Sequence, residues 1–453
     1  LTLLIYFAVP RSLKNGVLLT ASLLFYFYGE PVYTILLLFS SVSDYFHSRY
    51  IERHRGGARA KVALFSAVVI NLGMLGFFKY ADFFIHNWNL ISGAKVPLMH
   101  LSLPIGISFF TFQTMSYTMD VYRGEVAAEK GLLPLATYVS LFPQLVAGPI
   151  VRYKAVADAL RNRVHSVEAI SSGMSRFVIG LGKKVLIANQ LGELCRLFRM
   201  TDAPSVQYYW LYAVAFSLQI YFDFSGYSDM AIGLGRIFGF TFPENFNYPY
   251  VAESITDFWR RWHMSLGSWF RDYVYIPMGG NRVGKLKWVR NMAVVWLLTG
   301  LWHGASWNFA LWGGYFGVLL IFEKTFGIKR LSHLPKAFRH GYVLMMVLFS
   351  FIIFNADGFQ GIRADFVGLF GGKGLPLLTM ESVYQLKSYG LLLIVAMVSA
   401  TPVPKYVYRG ISEKLTWHPV AAFFEPLALT SVMVVVTGFL VDGSFNPFLY
   451  FRF

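Results

Sequence analysis

Charge is what this sequence has least of. Only 14% of its 453 residues are Asp, Glu, Lys or Arg, against 56% hydrophobic and 18% aromatic, whereas a soluble globular chain carries about 25% charged residues. The apolar excess is too large for cores alone and excludes an ordinary water-soluble domain. Cysteine is nearly absent: Cys195 is the single one, which rules out an intrachain disulfide or a zinc site built on several thiolates and leaves the redox compartment unread. No Gly-x-Ser-x-Gly elbow occurs, and no histidine has an Asp at the His-x-x-x-Asp spacing. The run from Gly180 to Lys184 lacks the upstream Gly and the Ser or Thr of a phosphate-binding loop, and Gly233 to Gly239 misses dinucleotide spacing by one residue. No metal and no bound cofactor are expected. Absent too are a fixed-period repeat and two halves with matching interrupted helices, which argues against a carrier.

What is present is apolar sequence in long pieces. A spanning helix needs about 20 mostly apolar residues, and runs from Val62 to Phe78, Tyr342 to Phe354, Leu391 to Val403 and Ala421 to Leu440 approach or reach that length. Val17 to Tyr28 and Val32 to Phe39 are separated by Gly29, Glu30 and Pro31, a pattern for two short or tilted helices joined by a tight turn. The expected fold is an all-α integral membrane protein with roughly ten to twelve transmembrane helices. The first apolar run, Leu1 to Val9, is short for a span, and part of the first helix is expected to be missing. No polar stretch is long enough to bury its own core, so residues 1–453 read as a single membrane domain.

The net charge of +16 would raise the question of nucleic acid in a soluble protein. Here the basic residues sit between apolar runs, as in Arg49 to Lys61 and Arg152 to Arg163. Such loops stay cytoplasmic during insertion and face anionic lipid, so membrane lipids are expected partners and nucleic acid is not.

One polar stretch, Phe242 to Val289, is too polar to span and too aromatic to be a solvated linker. Its Trp259, Trp262, His263 and Trp269 with Arg260, Arg261 and Arg271 suit short interfacial or re-entrant helices beside a cavity. Residues 242–330 are the expected catalytic region. His303 falls at the junction of the apolar runs Ala293 to Leu301 and Phe309 to Ile321. An intramembrane imidazole is costly and marks a functional site by default; it is also the side chain suited to take a proton from a hydroxyl near neutral pH. Gly300 and Gly304 leave room beside it for a ligand or another backbone, while Trp302 and Asn308 give a wall and a polar handle. His263 reads equally as a site residue and as one that orients its neighbours, with Trp259 and Arg260 on the same helix face by spacing. Asp223 and Asp229, inside the apolar run Tyr209 to Phe240, read as structural acids needing partners, and Gln113 is a weaker candidate for substrate contact.

Several motifs in order resemble the membrane-bound O-acyltransferase family, in its bacterial branch. They begin with SLLFYFYGEP at Ser22, PIGISFFTFQTMSYTMDVYRG at Pro104 and FPQLVAGPIVRY at Phe142. They continue with FDFSGYSDMAIG, NFNYPY, FWRRWHMSLGSWFRDYVYIPMGGNR and GLWHGASWNFALWG, and end in NPFLYFRF. The IPMGGNR segment places the resemblance on the alginate O-acetylation side. It implies a many-helix enzyme around a central funnel or tunnel, with His303 catalytic and His263 at the family's second polar position. It further implies acetyl-CoA or another acyl thioester as donor and a polysaccharide acceptor. A periplasmic or extracellular acetyl-esterase-like transferase would be the partner, and the bacterial inner membrane the location. Where such relatives often show Phe-Arg, this chain reads Phe354-Asn355. A transporter of lipid-linked sugar, or a non-catalytic scaffold of an export complex, is the alternative reading.

Overall fold

The computed structural model describes residues 1–327, 331–414, 418–443 and 448–449; of the terminal NPFLYFRF motif only Phe448 and Leu449 lie among them. Those residues form helices and connecting turns and no strand. The Gly29-Glu30-Pro31 break separates two helices as expected, α1 (Lys14–Gly29) and α2 (Thr34–Arg53). Five helices among the described residues are long and apolar enough to cross a membrane: α3 (Ala58–Ser92) and segments Trp307–Gly327, Lys336–Asn355, Met380–Ser399 and Phe423–Asp442. The third of the sequence-predicted runs is displaced. Its helix starts earlier, at Met380, and stops at Ser399, short of Pro402 and Val403, because a proline cannot continue it.

The chain divides into two compact units, residues 1–174 with 231–243, and 175–230 with 244–453. In the first, α4 (Ile107–Arg123) enters through Gly106, whose φ is +76° and where a Cβ would stand 2.7 Å from the Leu145 carbonyl oxygen; no other residue fits. Most of α4 is buried despite its many polar side chains, and several of these find partners on neighbouring helices. The Asn71 amide donates to both carboxylate oxygens of Asp44 at 3.1 and 3.0 Å, and Thr114 donates to the Asn71 oxygen.

In the second unit the acidic residues have the partners that burial demands. Lys184 meets Asp223 at 2.5 Å, and Asp229 is held by Arg176 at 2.8 Å and Lys183 at 2.6 Å. Both acids lie on α5 (Val206–Ile237). From α5 an aromatic-rich core continues through the 250–262 segment and the helices that follow it.

Candidate active site

The polar stretch becomes two short helices with a break between them. In α6 (Ile255–Arg261) the Ser254 side chain accepts from the Asp257 N–H. The carboxylate of Glu323 takes the Ile255 and Thr256 N–H groups at 2.6 and 3.0 Å. A helix N-terminus offers unpaired donors and partial positive charge, so a fully buried carboxylate is satisfied there. The second helix, α7 (Met264–Phe270), starts at His263. Between them Trp262 is extended and His263 has φ +45°, a left-handed conformation that non-glycine residues adopt rarely and that clusters at functional sites. The helical register expected to put His263 on one face with Trp259 and Arg260 is therefore broken. His263 points instead into the core and is 1% exposed.

The NFNYPY segment braces this break. Met264 N–H donates to the Asn245 carbonyl and Asn247 N–H to the Arg261 carbonyl, both at 2.9 Å. The Asn245 side-chain oxygen lies 3.1 Å from His263 Nδ1 and also receives the Ser265 hydroxyl at 2.9 Å. The His263 ring meets Phe224 edge-on at 4.7 Å and Trp302 at 5.8 Å.

His303 is the last residue of α8 (Lys285–His303), and the extended residues Gly304 and Ser306 separate it from α9 (Trp307–Phe322). Three aromatic rings box the imidazole at near-perpendicular angles: Trp302 at 5.1 Å, Trp312 at 5.0 Å and Phe354 at 5.3 Å. Trp302 thus lies between the two histidines, in ring contact with both. A helix C-terminus stabilises positive charge, which an imidazole acquires on taking a proton. Phe354 is fixed in turn, because the Asn308 amide donates to its carbonyl at 3.0 Å. That bond engages the Asn308 donor expected to face substrate and makes it a support of the box. Sequence reasoning passed over Trp312 and Phe354 as walls and Asn245 as a contact; Trp312 and Asn245 both stood inside recognised motifs.

The glycines beside His303 do not leave open space. A Cβ on Gly300 would lie 2.2 Å from the Phe309 carbonyl oxygen, and one on Gly304 2.2 Å from the Phe309 ring. Gly300 lets α8 and α9 approach backbone to backbone, with Gly313 opposite it, and Gly304 makes room for the Phe309 ring. Gln113 belongs to the first unit. It is fully buried on α4, and neither amide atom has a hydrogen-bond partner among the described residues.

A cavity of about 540 Å³ opens in the second unit, lined by Trp259, Trp296 and Thr299 together with Arg260, Arg271 and Lys324. Arg271 pairs with Asp272 at 2.7 Å. Arg260 and Lys324 form no ion pair among the described residues. Its aromatic wall reaches the histidine box: Trp259 contacts Trp296 at 4.6 Å and Trp312 at 5.6 Å, and Trp312 contacts His303.

A sequence model described as MBOAT, membrane-bound O-acyltransferase family, matches residues 110–362. The chain is 36% identical to a probable alginate O-acetylase AlgI of Azotobacter vinelandii, over 99% of this chain and 96% of that protein. It is 41% identical to the protein of the same description from Pseudomonas aeruginosa, over 79% of this chain and 69% of that one. Similarity extends to a peptidoglycan O-acetyltransferase of Helicobacter pylori, 35% identical over 82% of this chain and 77% of that protein.

Proposed function

This chain belongs to the membrane-bound O-acyltransferase family and is a membrane-embedded O-acyltransferase, and we propose that it moves an acetyl group from a cytoplasmic thioester to a polysaccharide hydroxyl across a bacterial inner membrane, with His303 as general base. The observation that carries this reading is the His303 box: one imidazole at a helix C-terminus, walled by three aromatic rings. In such a dry setting a neutral imidazole takes the proton of an acceptor hydroxyl as its oxygen attacks the thioester carbonyl. The tetrahedral intermediate then collapses, the C–S bond breaks, and the leaving thiolate takes the proton back from the imidazolium. A thioester is already activated, so positioning and proton removal supply most of what is required. The acceptor follows from the relatives, whose names specify alginate and peptidoglycan O-acetylation. An acetyl-esterase-like protein outside the membrane is the partner that would complete delivery to the polymer.

The cavity supports a phosphate-bearing donor such as acetyl-CoA. Arg260 and Lys324 face the same space, and guanidinium and ammonium groups lacking carboxylates suit phosphate oxygens. Two aromatic rings beside them suit a base or an acyl chain. Removing both charges, as Arg260→Ala with Lys324→Ala, is expected to raise KM for acetyl-CoA about 10-fold or more with a smaller change in kcat, the signature of lost ground-state binding. KM for a short acetyl thioester without phosphates should not change. Equal effects on both donors would remove the cavity from donor recognition. Acyl transfer itself is tested in purified protein, by free thiol released from the thioester in step with acceptor added. Binding and passage of a lipid-linked sugar with no thiol release would contradict the enzymatic reading.

A further inference from the structure

The NFNYPY motif carries an inference that rests on the acyl-transfer reading and extends it to His263. The Asn245 side chain can be oriented without ambiguity. Its Oδ1 receives the Ser265 backbone N–H at 3.3 Å and the Ser265 hydroxyl at 2.9 Å, and its amide nitrogen donates to Ser228 at 3.1 Å. A backbone N–H can only donate, so the atom that faces it is the oxygen. The same oxygen lies 3.1 Å from His263 Nδ1. That ring nitrogen must therefore carry the proton, and Nε2 must carry the lone pair.

Nε2 is buried and has no hydrogen-bond partner among the described residues, in a side chain that is 1% exposed. An unpaired acceptor in a dry core carries an uncompensated desolvation penalty. The backbone at His263 is held at φ +45° to keep the ring there. Its neighbours include the Phe224 and Trp302 rings, and the Asn245 side chain lies on its Nδ1. Burial alone pushes the imidazole pKa down to about 3 and so holds the ring neutral. Two devices thus act on one ring, one selecting its tautomer and the other keeping it uncharged.

We propose that Asn245 is a positioning residue that locks His263 as the Nδ1–H tautomer, so that Nε2 accepts a hydrogen bond from the hydroxyl to be acylated and aims it at the reaction centre. Trp302, in ring contact with both histidines, puts this acceptor one ring away from His303. The proton itself goes to His303; His263 orients the oxygen.

The test is a double-mutant cycle on the full-length protein in membranes, with acetyl transfer from acetyl-CoA to a soluble oligosaccharide as the readout. Asn245→Leu, similar in volume but without an acceptor, is expected to lower kcat about 10-fold or more and leave donor KM unchanged. Asn245→Asp keeps an acceptor at the same place, with the Ser228 hydroxyl turned to donate to its second oxygen, and should stay within about 3-fold of wild type. In a His263→Ala background Asn245→Leu should cost almost nothing further, since its effect passes through the imidazole. If Asn245→Leu does not reach the membrane, Ser265→Ala, which removes one of the donors fixing the amide, serves as the milder arm. Asn245→Asp as inactive as Asn245→Leu, or either Asn245→Leu or Ser265→Ala costing the same factor with and without His263, would overturn the proposal. Wild-type protein that transfers no acetyl would instead overturn the acyl-transfer reading.

Discussion

His303→Gln is expected to abolish acetyl transfer while the protein inserts and accumulates in membranes at close to the wild-type level. The amide fills much of the imidazole's volume among Trp302, Trp312 and Phe354, so the box stays packed. What it cannot do is take a proton. Loss of a positioned general base lowers the rate about 10²- to 10⁴-fold, and quantitative acetylation in cells together with membrane immunoblots reads both halves of the expectation. His303→Ala should be as inactive but less stable, because it leaves a cavity between three rings. Normal acetylation in the glutamine variant would remove the general-base role.

Gly300→Ala is the second large effect, and it acts through folding. The added Cβ would stand 2.2 Å from the Phe309 carbonyl oxygen and 3.1 Å from Gly313 Cα. Both are backbone atoms, so no side chain can swing aside and α8 must separate from α9. Overpacking costs about 1–3 kcal/mol and occasionally more, and the backbone contact puts this case at the upper end. Because His303 ends α8, displacement of that helix also displaces the imidazole. Gly314→Ala is the control: it lies on α9, and nothing stands within 4 Å of its Cβ position. Thermal unfolding of the detergent-solubilised protein should show a clear loss for Gly300→Ala and almost none for Gly314→Ala. Equal melting temperatures and equal activity would mean that the two helices do not meet at Gly300.

These contrasts mark what could be read from the chain. The junction of the apolar runs Ala293 to Leu301 and Phe309 to Ile321 put His303 near a helix end, and one helix does end at His303 while the next begins at Trp307. Asp223 and Asp229 were legible as acids needing cations, since burial without a partner is prohibitive, although which lysines and arginine answer them is a matter of helix packing. Spacing misled at His263. Arg260, Arg261 and Trp262 continue a helical pattern, and no local signal announces a left-handed histidine, which is held by the Asn245 loop from 18 residues away. Spacing was equally silent on Gly300, where smallness suggested a passage and the space is occupied by the carbonyl of the next helix. Asn308 likewise promised a donor to substrate and gives it to Phe354, 46 residues later. The residue types were legible throughout; the partners supplied by distant segments were not.

The central claim is that one imidazole in an aromatic box moves an acetyl group between two molecules. Its most direct test is purified protein in proteoliposomes, given acetyl-labelled thioester and a hydroxyl-bearing oligosaccharide, wild type beside His303→Gln. Wild type should give labelled O-acetyl ester on the sugar with an equal amount of free thiol, and the variant neither. Labelled ester formed at the same rate by His303→Gln, or no ester from the wild type with both substrates present, would contradict it.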